Sequence, residues 1–299
     1  MGSGSFDATT YKSASVTRAA TGQSTFAYSE QASVVHANLD PKRINNKVFK
    51  VLESRDSEEH PNSNAIIICL DVTGSNRARA AEVQLALPGL MDTIKKYISD
   101  PQISIAANDD VKVIGPNAFQ ISEFESDNRI DEHIRSIWLT GNGGGNGGES
   151  YDLPIYAAAY KTAIDCYEKR GRKGYLFLYA DEFLFSELTK QEIKTVFDDD
   201  VDNAISIETL IADAKSKFHV FVLSAGNTRE TEQYKKLFGN NNVIVLEYPS
   251  QVVGIIAATI AFNEKVVPAD SVVADLAAMG VDKSEAEQMI GDIFTNRVF

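Results

Sequence analysis

Two stretches of this chain are apolar at every position: Ala65-Ile66-Ile67-Ile68-Cys69-Leu70 and Tyr175-Leu176-Phe177-Leu178-Tyr179-Ala180. A third, Phe218-His219-Val220-Phe221-Val222-Leu223, departs from this only at His219. A strand with one face in water alternates apolar and polar residues, whereas one that is apolar throughout is covered on both faces. Parallel strands cannot be joined by hairpins and need crossovers, usually helices. Such crossovers are present. After the first run, Val83, Leu87, Leu90, Met91 and Ile94 recur at near-helical spacing. The chain is therefore expected to be α/β, with a doubly wound, mainly parallel sheet flanked by helices.

The remaining segments fit around that frame. Residues 1–40 are rich in Ser, Thr, Ala and Gly and read as an extended N-terminal arm, with Phe6, Tyr11, Phe26 and Tyr28 as its anchors. The folded domain is expected over 41–263. It has a short strand at Lys47–Val51, further strands at Ile103–Ala107 and Val243–Leu246, and an edge strand at Phe119–Phe124. Helices are expected over Asn128–Ile137, Leu153–Lys169, one or two within 187–217, Tyr234–Phe238 and Val252–Phe262. Residues 264–299 read as a helical C-terminal tail whose apolar face is Leu276, Met279, Met289, Ile290 and Ile293.

The net charge of −13 argues against nucleic-acid binding through a basic surface. The two cysteines, Cys69 and Cys166, suggest neither a disulfide framework nor a thiolate cluster, and the four histidines are scattered. No apolar run is long enough to span a membrane, and no signal-peptide core is seen. The expected setting is cytoplasmic, or a host cytoplasm or virion if the chain is encoded by a phage.

The first apolar run ends abruptly in Asp71-Val72-Thr73-Gly74-Ser75. Open α/β sheets collect their ligands just beyond the carboxyl ends of the strands. One carboxylate and two hydroxyls are thus presented where such a fold places its chemistry. Glu149, after the glycine-rich stretch Gly141–Gly148, and Asp181, at the end of the second apolar run, are expected to converge on the same spot. Carboxylates on neighbouring strands ~5 Å apart repel by roughly 3–4 kcal/mol at an effective dielectric near 20. A raised pKa, a shared proton or a cation must relieve that repulsion. The hydroxyls of Thr73 and Ser75 favour the cation, because neutral oxygen donors suit Mg²⁺, Mn²⁺ or Ca²⁺. The bland alternatives are a helix cap at Asp71, a first-turn charge at Glu149 and a surface acid at Asp181. Gly143, Gly145 and Gly148 also fit a phosphate-cradling pattern, although no strand precedes them. Asp198-Asp199-Asp200 could be a second cation loop or a solvated turn.

Asp-x-Thr-Gly-Ser at a strand tip resembles the Asp-x-Ser-x-Ser signature of von Willebrand factor A domains, which carry a metal-ion-dependent adhesion site on a doubly wound sheet. The likeness spans about residues 64–262, with Asp71–Ser75, Gly147-Gly148-Glu149-Ser150 and Asp181 in the family's order. Many members use a Thr in the second loop; Glu149 resembles variants in which a Glu serves. Thr73 stands where Ser is usual, and Asn76 where Met is frequent. The flanking stretch and the long glycine loop resemble an uncharacterised bacterial and phage subgroup. The resemblance implies a non-enzymatic interaction module holding Mg²⁺ (or Mn²⁺ or Ca²⁺) through Asp71, Thr73, Ser75, Glu149 and Asp181. A partner protein would fill the open coordination position with an acidic residue. An AAA+ ATPase is one such partner, and the arm or the tail could support a homo-oligomer. Two other functions stay open. Asp71-Val-Thr-Gly-Ser is similar to the phosphorylation loop of ion pumps, which would make Asp71 the nucleophile of a Mg²⁺-dependent phosphoryl-transfer enzyme. However, Val72 stands where those pumps have Lys, and no Gly-Asp-Gly-x-x-Asp follows. The other is a structural or assembly protein.

Overall fold

The computed structural model describes residues 4–45, 51–73, 77–141, 147–264 and 268–295. At its centre is a six-stranded sheet. Its strands are β1 (Asn64–Asp71), β2 (Pro101–Asn108), β3 (Phe119–Ile121), β4 (Gly174–Ala180), β5 (Phe218–Ser224) and β6 (Val243–Val245), in the order β6-β5-β4-β1-β2-β3. All neighbours run parallel except β3, which pairs antiparallel with β2, so the sheet is mixed. The apolar runs become β1, β4 and most of β5. Every residue of β1 and β4 is buried.

Alternate side chains of β1 enter two separate apolar clusters. Ile66, Ile68 and Leu70 face one, while Ala65, Ile67 and Cys69 face the other. Both sheet faces are therefore covered, and helices cover them. On the first face lie α1 (Ala8–Ala20), α2 (Arg77–Ile94), α3 (Arg129–Arg135), α8 (Val252–Glu264), α9 (Ala269–Ala278) and α10 (Lys283–Thr295). On the second lie α4 (Asp152–Tyr160), α5 (Lys190–Phe197), α6 (Ile207–Lys217) and α7 (Thr228–Phe238). In the first cluster Phe177 is fully buried and stacks on Phe221 with ring centroids 5.5 Å apart. Phe177→Ala is expected to lower stability by ~3–5 kcal/mol. Urea denaturation checks this: the midpoint should fall with the slope unchanged.

The sequence reading is corrected in several places. The N-terminal segment is not extended, since Ala8–Ala20 is helical. Asp7 caps it by accepting from the Thr10 N–H at 2.8 Å. Of its expected anchors, Phe6, Tyr11 and Phe26 are buried in the first cluster; in addition the Tyr11 hydroxyl donates to the Gln84 carbonyl, and the Arg18 guanidinium forms a bidentate pair with Asp131. The anticipated Leu153–Lys169 helix ends at Tyr160. There the Thr162 hydroxyl takes up the Ala158 carbonyl at 2.7 Å, and Thr162–Ile164 pairs instead with Leu52–Ser54. The strand anticipated at Lys47–Val51 falls mostly outside the described residues; pairing is seen at Leu52–Ser54. The helix anticipated at Tyr234–Phe238 begins earlier, at Thr228. Residues 264–299 contain two helices, α9 and α10, whose Leu276, Met289, Ile290 and Ile293 join the first cluster. Among the described residues, no helix is long and apolar enough to cross a membrane.

Candidate metal centre

Strands β1 and β4 are hydrogen-bonded neighbours, with Cys69 opposite Leu178. Carrying that register forward places Ala180 opposite Asp71 and Asp181 one residue beyond. The two carboxylates thus lie on one rim, at the point where successive strands depart from β1 in opposite directions. That reversal of strand order is where open α/β sheets form a ligand crevice.

Glu149 reaches the same rim from a loop. Its N–H donates to the Phe183 carbonyl at 2.8 Å, and it forms a parallel bridge with Leu184. The preceding Gly148 permits that approach, because a Cβ there would lie 2.9 Å from the Phe183 carbonyl oxygen and 2.8 Å from the Phe185 ring. Gly226 closes the other side, since a Cβ there would lie 2.7 Å from the Asp181 carbonyl oxygen. One carboxylate oxygen from each of Asp71, Glu149 and Asp181 lies within 4.8 Å of the others. Asp71 and Glu149 are buried, and Asp181 is partly so.

Thr73 folds back on Asp71. Its N–H and its hydroxyl both donate to Asp71 Oδ1, at 2.8 and 2.6 Å. With its proton given to Asp71, the hydroxyl can face a cation only as an oxygen donor. Ser75, the remaining predicted ligand, lies outside the described residues, as do Gly143 and Gly145 of the phosphate-cradle pattern.

Two residues that the sequence reading did not select also belong here. Asn108 pairs with Asp71, so Asp109 is the first residue beyond the tip of β2. Asp109 is buried and accepts from the Thr140 hydroxyl. Its carboxyl is pushed upward, chiefly by burial, with Asp71 and Asp110 adding to the effect. The signal was available: Asp109 lies two residues beyond the strand read at Ile103–Ala107. Tyr151 is fully enclosed, and its hydroxyl lies between Asp71 and Asp181.

The charges that shift Glu149 most are negative. Glu149 is pushed up to about 10, first by burial, then by the charge of Asp71 and a hydrogen bond to it, with Asp181 and Asp109 contributing. Among the described residues, no ion pair reaches Asp71 or Glu149. Glu149 Oε2 is buried and makes no hydrogen bond. Each ionised pair at this spacing repels by about 3–4 kcal/mol at an effective dielectric near 20. A buried carboxylate oxygen without a donor, beside two further carboxylates, fits a hard divalent cation. The donors are all oxygens, which disfavours softer metals.

Asp198–Asp200 is not comparable. Asp199 accepts from Lys161 and the Tyr156 hydroxyl, and Lys194 pairs with Asp198 and Asp200. That turn already contains its own cations.

No protein-family model matches the chain, and no curated protein does. Among solved structures it is similar to the pilus adhesin SpaC from Lactobacillus rhamnosus GG in its open conformation, at 12% identity and a TM-score of 0.44, covering 70% of this chain and 31% of that one. It is also similar to proximal thread matrix protein 1 from the mussel byssus, at 10% identity and a TM-score of 0.43, covering 67% of this chain and 47% of that one. The chain spans less than half the length of either. Likeness at this level says nothing about ligand or partner.

Proposed function

We propose that this protein is a cation-dependent protein-interaction module of the von Willebrand factor A type, built on a doubly wound sheet. Asp71, Thr73, Glu149 and Asp181 hold a divalent cation of the Mg²⁺, Mn²⁺ or Ca²⁺ class, and Ser75 completes the set. The cation offers an open coordination position to an acidic residue of a partner protein. The observation that carries this reading is the unpartnered, buried Glu149 Oε2 within one cluster with Asp71 and Asp181. The crevice position on the sheet rim supports it.

The phosphoryl-transfer alternative is less well supported. Asp71 is 1% exposed, and both its oxygens already accept hydrogen bonds, from Thr73 and from Tyr151. A nucleophile needs an oxygen that substrate can reach. No Asp71-dependent hydrolysis of p-nitrophenyl phosphate is expected.

Affinity capture from the native host, with an AAA+ ATPase among the partners sought, tests the reading. Chelation with EDTA should release the partner, and Mg²⁺ should restore it. Capture that persists in EDTA, or that is unchanged with Asp71→Ala, refutes the proposal.

A further inference from the structure

Beside the acids on the rim stands an ammonium group. Beyond β2 the chain passes through Asp109 and Asp110 into the helical turn Val111–Ile114. Asp110 caps that turn by accepting from the Lys112 N–H at 2.8 Å. The Val111 N–H donates to the Ser150 hydroxyl at 3.0 Å, which ties the turn to the residue after Glu149. From there the Lys112 side chain reaches over the Phe185 ring, with its ammonium 3.1 Å from the ring centroid. Phe185 is the ring that a Cβ at Gly148 would strike, and it follows Leu184, which bridges to Glu149. Lys112 is thus held, through its backbone and through its head group, against the pair of loops that delivers Glu149.

Lys112 is exposed, and among the described residues no carboxylate pairs with its ammonium. Its charge reaches the buried Asp152, but burial and Glu192 push that carboxyl far up, so Asp152 does not serve as its counter-ion. A ring face attracts an ammonium without neutralising it, and the three N–H donors stay available. The acids beside it have the opposite imbalance. Asp71, Glu149 and Asp181, ligating as carboxylates, bring three negative charges to an ion that carries two positive ones. A loaded site is therefore still net negative when a partner's acid approaches. A positive group at its edge offsets that repulsion and favours a partner with a matching charge.

Resting on the cation-site reading, we infer that Lys112 receives a second carboxylate, so that the partner presents two acidic residues close together, one for the cation and one for the ammonium over Phe185. The ring holds the ammonium in place, which lowers the ordering cost of the second contact. If Lys112 only covered the Phe185 ring, a second acid on the partner would gain nothing from it.

Fluorescence anisotropy of labelled peptides with the full, Mg²⁺-loaded chain tests this. Each probe is a glycine-based peptide with two glutamates, at spacings from adjacent to a few residues apart. It is compared with its two single-acid versions, in which one Glu is replaced by Gln. At the fitting spacing the two-acid peptide should bind about threefold or more tighter than its single-acid versions combined, the gain that an exposed ion pair gives. In Lys112→Gln that gain should disappear. The side chain is exposed, so the variant should keep its fold, which circular dichroism checks. No gain at any spacing, or a gain that survives Lys112→Gln, overturns the inference. Single-acid binding that EDTA abolishes would then leave the cation-site reading standing. The absence of EDTA-sensitive binding of any peptide overturns that reading and this inference with it.

Discussion

Glu149→Gln should raise the melting temperature of the cation-free protein and abolish the further rise that Mg²⁺ gives the wild type. In the folded, cation-free protein, burial and the neighbouring acids push Glu149 up to about 10 from an ordinary value of 4.5. Between those values the folded state carries a proton that the unfolded state lacks. Stability therefore falls as pH rises through that window, because the native state binds more protons. Below about pH 4.5 the contribution is fully present; by about pH 10 it is gone. Glutamine removes this linkage. The variant should melt at least ~3 °C higher than cation-free wild type at about pH 8, with a shallower dependence on pH. A bound cation inverts the logic in the wild type, because it needs Glu149 ionised and displaces the proton. Differential scanning calorimetry at several pH values, with and without Mg²⁺, measures both effects. A lower melting temperature for the variant, or an unchanged Mg²⁺ response, would count against the role given to Glu149.

Asp71→Ala should weaken divalent-cation binding by at least ~100-fold, the upper end of what even outer-shell losses cause. Asp71 is central to the cluster. It holds Thr73 through two hydrogen bonds, accepts from Tyr151, and its charge helps push Glu149 upward. Removing it deletes one ligand and the support of the others. The variant should keep its fold, because the repulsion it relieves offsets the lost bonds. Circular dichroism would confirm the fold, and equilibrium dialysis with Mn²⁺ would give the affinity.

The frame of the protein was legible because uninterrupted apolar runs have few solutions. Ile66 to Leu70 and Tyr175 to Ala180 can be buried on both faces only inside a covered sheet, and Asp71 and Asp181 then fall at its rim. Glu149 was legible as an acid after glycines, although the bridge to Leu184 that places it depends on distant residues. At Ala8–Ala20 the anchor Tyr11 was legible but the helix was not, and Arg18 is held by Asp131, a distant partner that no local pattern encodes. The break at Tyr160 was hidden in the same way, since Thr162 leaves the helix to pair with Leu52–Ser54. Tyr151 was passed over because a tyrosine beside a helix start usually packs through its ring, and only the fold shows where its hydroxyl points.

Titration of the cation-free protein with Mg²⁺ in two buffers of different ionisation enthalpy tests the central claim most directly. The account predicts saturable binding at one site per chain, a buffer-dependent heat that reports proton release from the carboxylate cluster, and loss of both in Asp71→Ala. The absence of saturable heat, or binding retained without Asp71, would contradict it.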